Sequence, residues 1–339
     1  MLKSITTAFL ILFFTSSFAQ VIPRREDTLS ATLFKVFQKA RQYSLYRQQV
    51  DWSELENKLV IKTSDPISFD FFKSRVQLLF STIGDKHAAL FINGIKISAI
   101  DTPTAIRKSL IDQLKYNNPQ LKTQTFEGKY GYILIPSNST RDNLKLLAQS
   151  IQDSLCLLID KQLSGIIIDL RANEGGGIYP LFAGLHQLIG EGPFGAFSNY
   201  EATSKTQWIL KKGKITQQKR IIASVTPKCS CSKEMKVAVL LSQVTTSAGE
   251  MLAIAFKGRK NTIFIGEKTY GLTTGNVSFR IDGHLLALSA SFTEDRTGKL
   301  YNGSVMPDIE ITEGDNFSDL YKDKKVLEAI NWFDSKSSR

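Results

Sequence analysis

A serine in a run of small residues, directly after a buried apolar stretch, can serve as a nucleophile. The stretch is Lys236-Val-Ala-Val-Leu-Leu-Ser242, and Gln-Val-Thr-Thr-Ser247-Ala-Gly-Glu250 follows it. The pattern reads as a strand, a tight turn and a helix to about Lys257, with Ser247 at the helix N-terminus. There the N–H groups of Ser247 and Ala248 have no intrahelical acceptor. Both are candidate donors to a developing oxyanion, helped by the helix dipole. An ordinary N-cap serine carries the same signature.

A second set is Asp169-Leu-Arg171-Ala-Asn173-Glu-Gly175-Gly176-Gly177, behind the apolar run Gly165-Ile-Ile-Ile. It also lies at a strand C-terminus, where open α/β sheets place their ligands. Glycines let backbone approach a substrate closely, so Gly175 and Gly176 are candidate oxyanion donors; a plain turn before a helix fits the same residues. The spacing is neither that of a phosphate loop nor that of a dinucleotide fingerprint.

A serine nucleophile needs a base, and the chain has three histidines. His186 falls inside an apolar helical stretch and reads as a core or surface residue. His284 follows a hairpin turn and reads as exposed. His87 stands at a junction between two kinds of sequence, where clefts form, and is the candidate base.

The elements that must hold these residues change character at that junction. Before it, Leu33, Phe34, Val36, Phe37 and Ala40, then Phe71, Phe72, Val76, Leu79 and Phe80, repeat at helical spacing. After it, Ala88 to Ile92 and Ile95 to Ile97 flank Asn93-Gly94 as a hairpin. Helices are expected over 104–115, 144–159, 179–190 and 323–333, with buried strands at Tyr132 to Ile135, Gly165 to Leu170, Lys236 to Ser242 and Thr262 to Ile265. Residues 193–225 alternate polar and apolar as an antiparallel excursion, and Val277 to Ile281 pairs with Leu285 to Ser289 across Asp282-Gly283. The order predicts an α/β fold with a largely parallel core sheet behind an N-terminal helical domain.

Residues 1–19 read as a signal peptide: Lys3, an apolar run from Ala8 to Phe14, then Ser17-Phe18-Ala19 before Gln20. An uncleaved anchor helix is the competing reading. No later stretch has the roughly 18 apolar residues of a membrane span. The expected division is 1–19 signal, 20–87 helical domain, 88–315 α/β core and 316–339 C-terminal helix and tail. The expected location is secreted or periplasmic, in a bacterial envelope. Of the cysteines, Cys156 reads as a buried small hydrophobe and Cys229 and Cys231 as an exposed loop. No histidine or second cysteine pair accompanies them as a zinc site would require. The net charge of +11 is spread without basic blocks, which argues against a nucleic-acid partner.

Taken in order, these segments resemble the tail-specific, C-terminal processing serine proteases, in their tricorn-like, histidine-using branch. Ile83-Gly-Asp-Lys-His87 is similar to a Leu-x-Asp-x-His segment. Gly165 to Gly176 is similar to a Gly-hydrophobic-Asp-Leu-Arg-x-Asn-x-Gly-Gly motif. Val239 to Glu250 resembles the strand and Ser-Ala-x-Glu turn, Ile265-Gly-Glu-Lys-Thr269-Tyr-Gly271 resembles Gly-Glu-x-Thr-x-Gly, and Pro307-Asp308-Ile309 resembles the ending. The resemblance implies a Clp protease/crotonase-like core and peptide-bond hydrolysis through an acyl-enzyme, with no cofactor. It assigns Ser247 as nucleophile, His87 as base, and Ala248 with Gly175 or Gly176 as oxyanion donors.

Three departures stand out. Leu272 fills the place of the lysine base used in another branch. Lys86 replaces the serine expected before the histidine. Leu300-Tyr301-Asn302-Gly303 carries no carboxylate where one should orient His87, which leaves Asn302, or Tyr301 without a gap, at that position. Too little chain lies between His87 and Tyr132 for a PDZ domain. The expectation is an exported serine endopeptidase acting on peptides or unfolded proteins; the other reading is a degenerate member that binds envelope peptides.

Overall fold

The computed structural model describes residues 25–59, 67–100, 106–138, 143–161 and 163–335. The expected signal peptide and the start of the helix expected at 104 lie outside the described residues.

Three helices open the described chain: α1 (Arg25–Tyr43), α2 (Trp52–Leu59) and α3 (Phe69–Thr82). The Ser68 hydroxyl caps α3 by accepting the Phe71 N–H at 3.2 Å. The hairpin β1 (Ala89–Ile92) and β2 (Ile95–Ser98) turns at Asn93-Gly94, both at positive φ. Then come α4 (Lys108–Asn117), β3 (Lys122–Phe126), β4 (Tyr130–Leu134), α5 (Leu144–Ile159) and β5 (Gly165–Asp169). The helix expected over 179–190 is two pieces, α6 (Ile178–Gly184) and α7 (His186–Ile189). The excursion is four strands, β6 (Gly192–Ser198), β7 (Lys205–Lys211), β8 (Lys214–Gln217) and β9 (Arg220–Ser224). After β10 (Lys236–Leu241), α8 (Ala248–Phe256) and β11 (Thr262–Gly266), the chain ends with β12 (Thr274–Ile281), β13 (His284–Asp295), β14 (Leu300–Tyr301), β15 (Ile309–Glu310) and α9 (Lys324–Asp334).

One sheet has the order β15-β11-β10-β5-β4-β3, parallel except for the β3–β4 hairpin. Its central strands are apolar on both faces because both faces are covered. Ile166, Ile168, Val237, Val239 and Leu241 point into a core with α5, α6 and α8. Ile167, Ala238 and Leu240 point the other way, against α4 and α9. The two-residue period of the strand thus survives inside a continuous apolar run. Strand β3 was not expected, since Lys-Thr-Gln-Thr-Phe shows little apolar patterning at an edge.

The second sheet is a larger departure from expectation. It is nine-stranded and antiparallel, β2-β1-β13-β6-β7-β8-β9, with β12 and β14 also paired to β13. Twelve-residue β13 holds it together, since β1, β6, β12 and β14 all bond to it. Its hairpins were legible singly, but pairings between strands far apart in sequence leave no local mark. Helices α1–α3 pack on this sheet: Val36, Phe37, Phe72, Val76 and Phe80 share a core with Leu90, Ile97, Leu286 and Leu288. His87 therefore lies between helices and strands of one continuous core.

The cysteine expectation is corrected. Cys156 of α5 and Cys229 are joined as a disulfide, while Cys231 is free and half-buried. The bridge spans 73 residues, a separation that leaves no local sequence signal. Closing a loop of that length restricts the unfolded chain by about 4 kcal/mol in the entropic model.

The Asp-Leu-Arg segment has a structural explanation. Arg171 is fully buried, with its guanidinium on Asp169 (2.6 Å), Asp315 (2.8 Å) and Asp323 (2.7 Å). Lys325 joins Asp315 at 2.7 Å, and Arg107 bridges Asp315 and Glu267. Tyr132 donates its hydroxyl to Asp169 at 2.7 Å. The cluster ties the end of β5 to the segment before α9. Removing one charge from such a cluster strands its partners without water, so Arg171→Met should lower the unfolding free energy by about 3–5 kcal/mol in urea titration. A loss below about 1 kcal/mol would place the cluster among ordinary surface pairs.

Candidate functional site

The C-terminal ends of β5, β10 and β11 come together, as in other open parallel sheets. Ser247 sits there at φ 52°, ψ −109°, immediately before α8. Holding a non-glycine residue in such a conformation costs on the order of 1–3 kcal/mol, so the surroundings must enforce it. Glu250, fully buried, does so. Its carboxylate accepts the N–H groups of Ser247 (2.9 Å), Gly271 (2.7 Å) and Leu272 (2.8 Å) and the hydroxyl of Thr269. Burial pushes its pKa up to about 7, against the pull of those hydrogen bonds. The Ser247 N–H is thereby spent, which corrects its expected role as an oxyanion donor. Ala248 N–H keeps that capacity, since no acceptor faces it among the described residues.

Asn173 joins the glycine loop to this turn. Its carbonyl accepts the Thr246 N–H at 2.9 Å, and its amide donates to the carbonyls of Ile135 (3.2 Å) and Pro136 (3.0 Å). Its Oδ1 accepts the Gly175 N–H at 3.0 Å. Gly175 lies against the nucleophile turn: a Cβ there would meet the Ser247 Cβ at 3.1 Å. Its neighbour Gly176 has φ +123°, and a Cβ there would stand 2.0 Å from the Asn138 carbonyl oxygen, so only glycine fits. Gly175 is buried with its N–H occupied, whereas Gly176 is exposed and its N–H has no acceptor among the described residues. The expected pair of glycines thus narrows to Gly176.

His87 follows the turn after α3 and is half-buried. Its Nδ1 contacts the Thr274 Oγ1 at 3.0 Å. Burial lowers its pKa to about 4; a hydrogen bond to the Thr274 backbone opposes that shift and the Lys96 charge adds to it. His87 lines a cavity of about 430 Å³ with Tyr46, Lys86, Leu272, Thr274 and Asn302. Ser247 is not in this wall. Glu250 connects the two, because it bonds both Ser247 and the cavity-lining Gly271 and Leu272.

Neither candidate for the orienting position holds Nδ1. Asn302 is exposed and accepts the Tyr46 hydroxyl at 3.1 Å, and Tyr301 donates to Asp295 at 2.9 Å. Sequence reasoning passed over Thr274 because a threonine at a strand start has no distinguishing pattern. Glu250 was legible as part of the Ser-Ala-x-Glu turn but was assigned no role. His186 is buried, with Nδ1 on the Ala183 carbonyl at 3.0 Å, and His284 is half-exposed at the start of β13. Among the described residues no group of three or more His, Cys, Asp or Glu side chains could hold a metal ion.

Known proteins resemble this chain in sequence and in fold. The model of peptidase family S41 matches residues 129–311. A nisin-resistance protein of Lactococcus lactis subsp. lactis is 28% identical over 272 residues, covering 78% of each chain. The structure of a lipoprotein from Streptococcus agalactiae superposes with a TM-score of 0.67 at 22% identity, over 90% of this chain and 96% of that one. The photosystem II D1 C-terminal processing protease gives 0.54 at 12% identity, over 87% and 96%. At these identities the two structures show the fold, which is the expected mixed α/β architecture with N-terminal helices.

The raised Glu250 pKa gives a signed prediction. Between about 4.5 and 7 the folded chain keeps a proton that the unfolded chain has released. The stability tied to this group is therefore full at the acid end and is lost as pH rises through 7, by up to about 3 kcal/mol. Chemical denaturation from pH 4.5 to 8 should show that decline in wild type and a flatter profile in Glu250→Gln, whatever the variant's absolute stability.

Proposed function

The chain belongs to peptidase family S41, and from that membership and the site's geometry we propose that it is a serine-type endopeptidase with Ser247 as nucleophile and His87 as base. The observation that carries the reading is Ser247 itself. It is half-buried, held at a strained positive φ at a helix N-terminus, and packed against Gly175, and the N–H groups of Ala248 and Gly176 have no acceptor among the described residues. Strain of this kind persists where the surroundings over-determine it, and it concentrates at reactive positions.

In this mechanism the Ser247 Oγ attacks the peptide carbonyl while its proton passes to the His87 Nε2. The carbonyl oxygen becomes an oxyanion facing the Ala248 and Gly176 N–H groups. Collapse breaks the C–N bond, and the proton on His87 goes to the leaving amine. Water, deprotonated by the same nitrogen, then hydrolyses the acyl-enzyme and restores Ser247. The lowered His87 pKa suits the base role, since the imidazole is neutral throughout the neutral range. Peptides or unfolded proteins are the substrate class, and the relative named for nisin resistance makes nisin a substrate to test.

We also place the mature protein outside the cytoplasmic membrane, secreted or periplasmic, after cleavage before Gln20. The Cys156–Cys229 disulfide supports an oxidising compartment. Among the described residues no helix is long and apolar enough to cross a membrane.

A fluorophosphonate probe should label Ser247 in wild type and not in Ser247→Ala. On an unstructured protein substrate, Ser247→Ala and His87→Ala should each lower kcat by roughly 10²-fold or more. An unlabelled, folded wild-type chain would leave peptide binding without hydrolysis as the function. The acid limb of kcat/KM should fall near pH 4, where His87 takes up a proton, and a limb near pH 6.5 would show an imidazole unshifted by burial.

A further inference from the structure

The carboxylate missing from the Tyr301–Asn302 position has a counterpart elsewhere. We propose that Asp85 orients His87 through two hydroxyl groups, those of Ser289 and Thr274, and fixes the imidazole as the Nδ1–H tautomer. The inference rests on the peptidase reading for its catalytic consequence, but its structural content is independent.

The contacts form an unbroken line. His87 Nδ1 meets Thr274 Oγ1 at 3.0 Å, Thr274 Oγ1 meets Ser289 Oγ at 2.8 Å, and Ser289 Oγ meets Asp85 Oδ1 at 2.6 Å. Thr274, Ser289 and Asp85 are all buried at the floor of the histidine cavity, which favours their bonds to one another over bonds to water. The direction of every hydrogen bond follows from counting protons. Asp85 already receives the N–H groups of His87 (3.1 Å), Ala88 (3.0 Å) and Ser289 (2.9 Å); burial raises its pKa and these donors pull it back, and as the carboxylate they favour it can only accept. Ser289 must then spend its single hydroxyl proton on Asp85. Its oxygen can only accept from Thr274, and Thr274, its own proton spent, can only accept from His87. The ring proton is therefore on Nδ1, and Nε2 presents a lone pair.

The elements explain the convergence. Asp85 caps the turn after α3, two residues before the histidine it serves. Ser289 lies mid-strand in β13, and Thr274 opens β12. The register of the β12–β13 pair shifts between Gly275 and Asn276, so Thr274 pairs with Phe292 while Asn276 pairs with Ser289. Among the described residues the charge acting on the ring is a cation, Lys96 on β2, which disfavours imidazolium and does not compete for the Nδ1 proton. Asp85 is thus a positioning residue acting through two intermediates, and no proton needs to travel along the line.

Nitrogen-15 NMR of histidine-labelled protein reads the tautomer directly, with the His87 signals identified by their loss in His87→Ala. At pH 7 we expect His87 protonated on Nδ1 and bare on Nε2 in wild type and in Thr274→Ser, which keeps the hydroxyl. Thr274→Val and Ser289→Ala should lose that preference and lower kcat by roughly 10²-fold with KM within about threefold, while Thr274→Ser stays within about threefold of wild type. Asp85→Asn should do the same, but it also loosens the backbone turn, so the hydroxyl variants decide. A wild-type His87 protonated on Nε2, or Thr274→Val with tautomer and kcat unchanged, overturns the proposal. An Nδ1–H tautomer lost in Thr274→Val supports it even if Ser247 resists the fluorophosphonate, a result that would sink the peptidase reading alone.

Discussion

The site is organised around the buried carboxylate of Glu250. A carboxylate without water must find its acceptor capacity filled, and here two oxygens receive four donors from two separate segments. One segment is the turn that bends Ser247 into positive φ, and the other is the Thr269–Leu272 stretch that walls the histidine cavity. The same interaction therefore strains one residue and anchors another segment against it. It also exploits the first turn of α8, where a negative charge is favourably placed against the helix dipole. The cost appears as a carboxyl that gives up its proton only near neutrality. A consequence is that the Ser247 amide is used for construction, and the candidate oxyanion amides are its neighbour Ala248 and a glycine from a different strand end.

The Arg171 cluster has the complementary task on the other side of the glycine loop. Three cations and four carboxylates packed away from water seldom gain much net stability, because desolvation offsets attraction. They do permit only one register. Asp169 and Arg171 end β5, Glu267 follows β11, and Asp315, Asp323 and Lys325 lead into α9. A shift of any of these segments would leave a bare charge behind. The loop that carries Gly175 and Gly176 starts two residues after Arg171, so its departure point is set by electrostatics, and Asn173 then sets its course by hydrogen bonds to two neighbouring segments.

What could be read from the sequence follows from how local each determinant is. Strand β5 and the β10–α8 unit stood out because continuous burial writes continuous apolar runs. The β1–β2 hairpin stood out because Asn93-Gly94 supplies the positive φ its turn needs. The nine-stranded sheet did not, because its unity comes from β13 pairing with strands up to about two hundred residues away. The Cys156–Cys229 bridge was hidden for the same reason, and adjacency on paper drew attention to Cys231 instead. At the site, Ser247, Ala248, Gly176 and His87 belong to ordered local patterns. Thr274 and Ser289 are common strand residues, and only the shifted register of β12 against β13 makes them neighbours.

That difference bears on how a catalytic histidine can be supported. A carboxylate in contact with imidazole does two things: it holds the tautomer, and it attracts the imidazolium that forms as the proton is taken. Two intervening hydroxyls preserve the first, because each has one proton and the carboxylate can only accept. They largely give up the second, since Coulomb attraction falls with distance and a charge two hydroxyls away is roughly twice as far as one in contact, or more. The ring's pKa of about 4, with Lys96 rather than a carboxylate as the charge acting on it, has the same sense. Such a base is always available but is a weak proton acceptor. In the proposed mechanism more of the barrier is then lowered elsewhere, by the strain at Ser247 and by the amides assigned to the oxyanion. The chain thus replaces a charge partner with preorganisation, and the buried Glu250 and Arg171 networks supply the rigidity that this replacement requires.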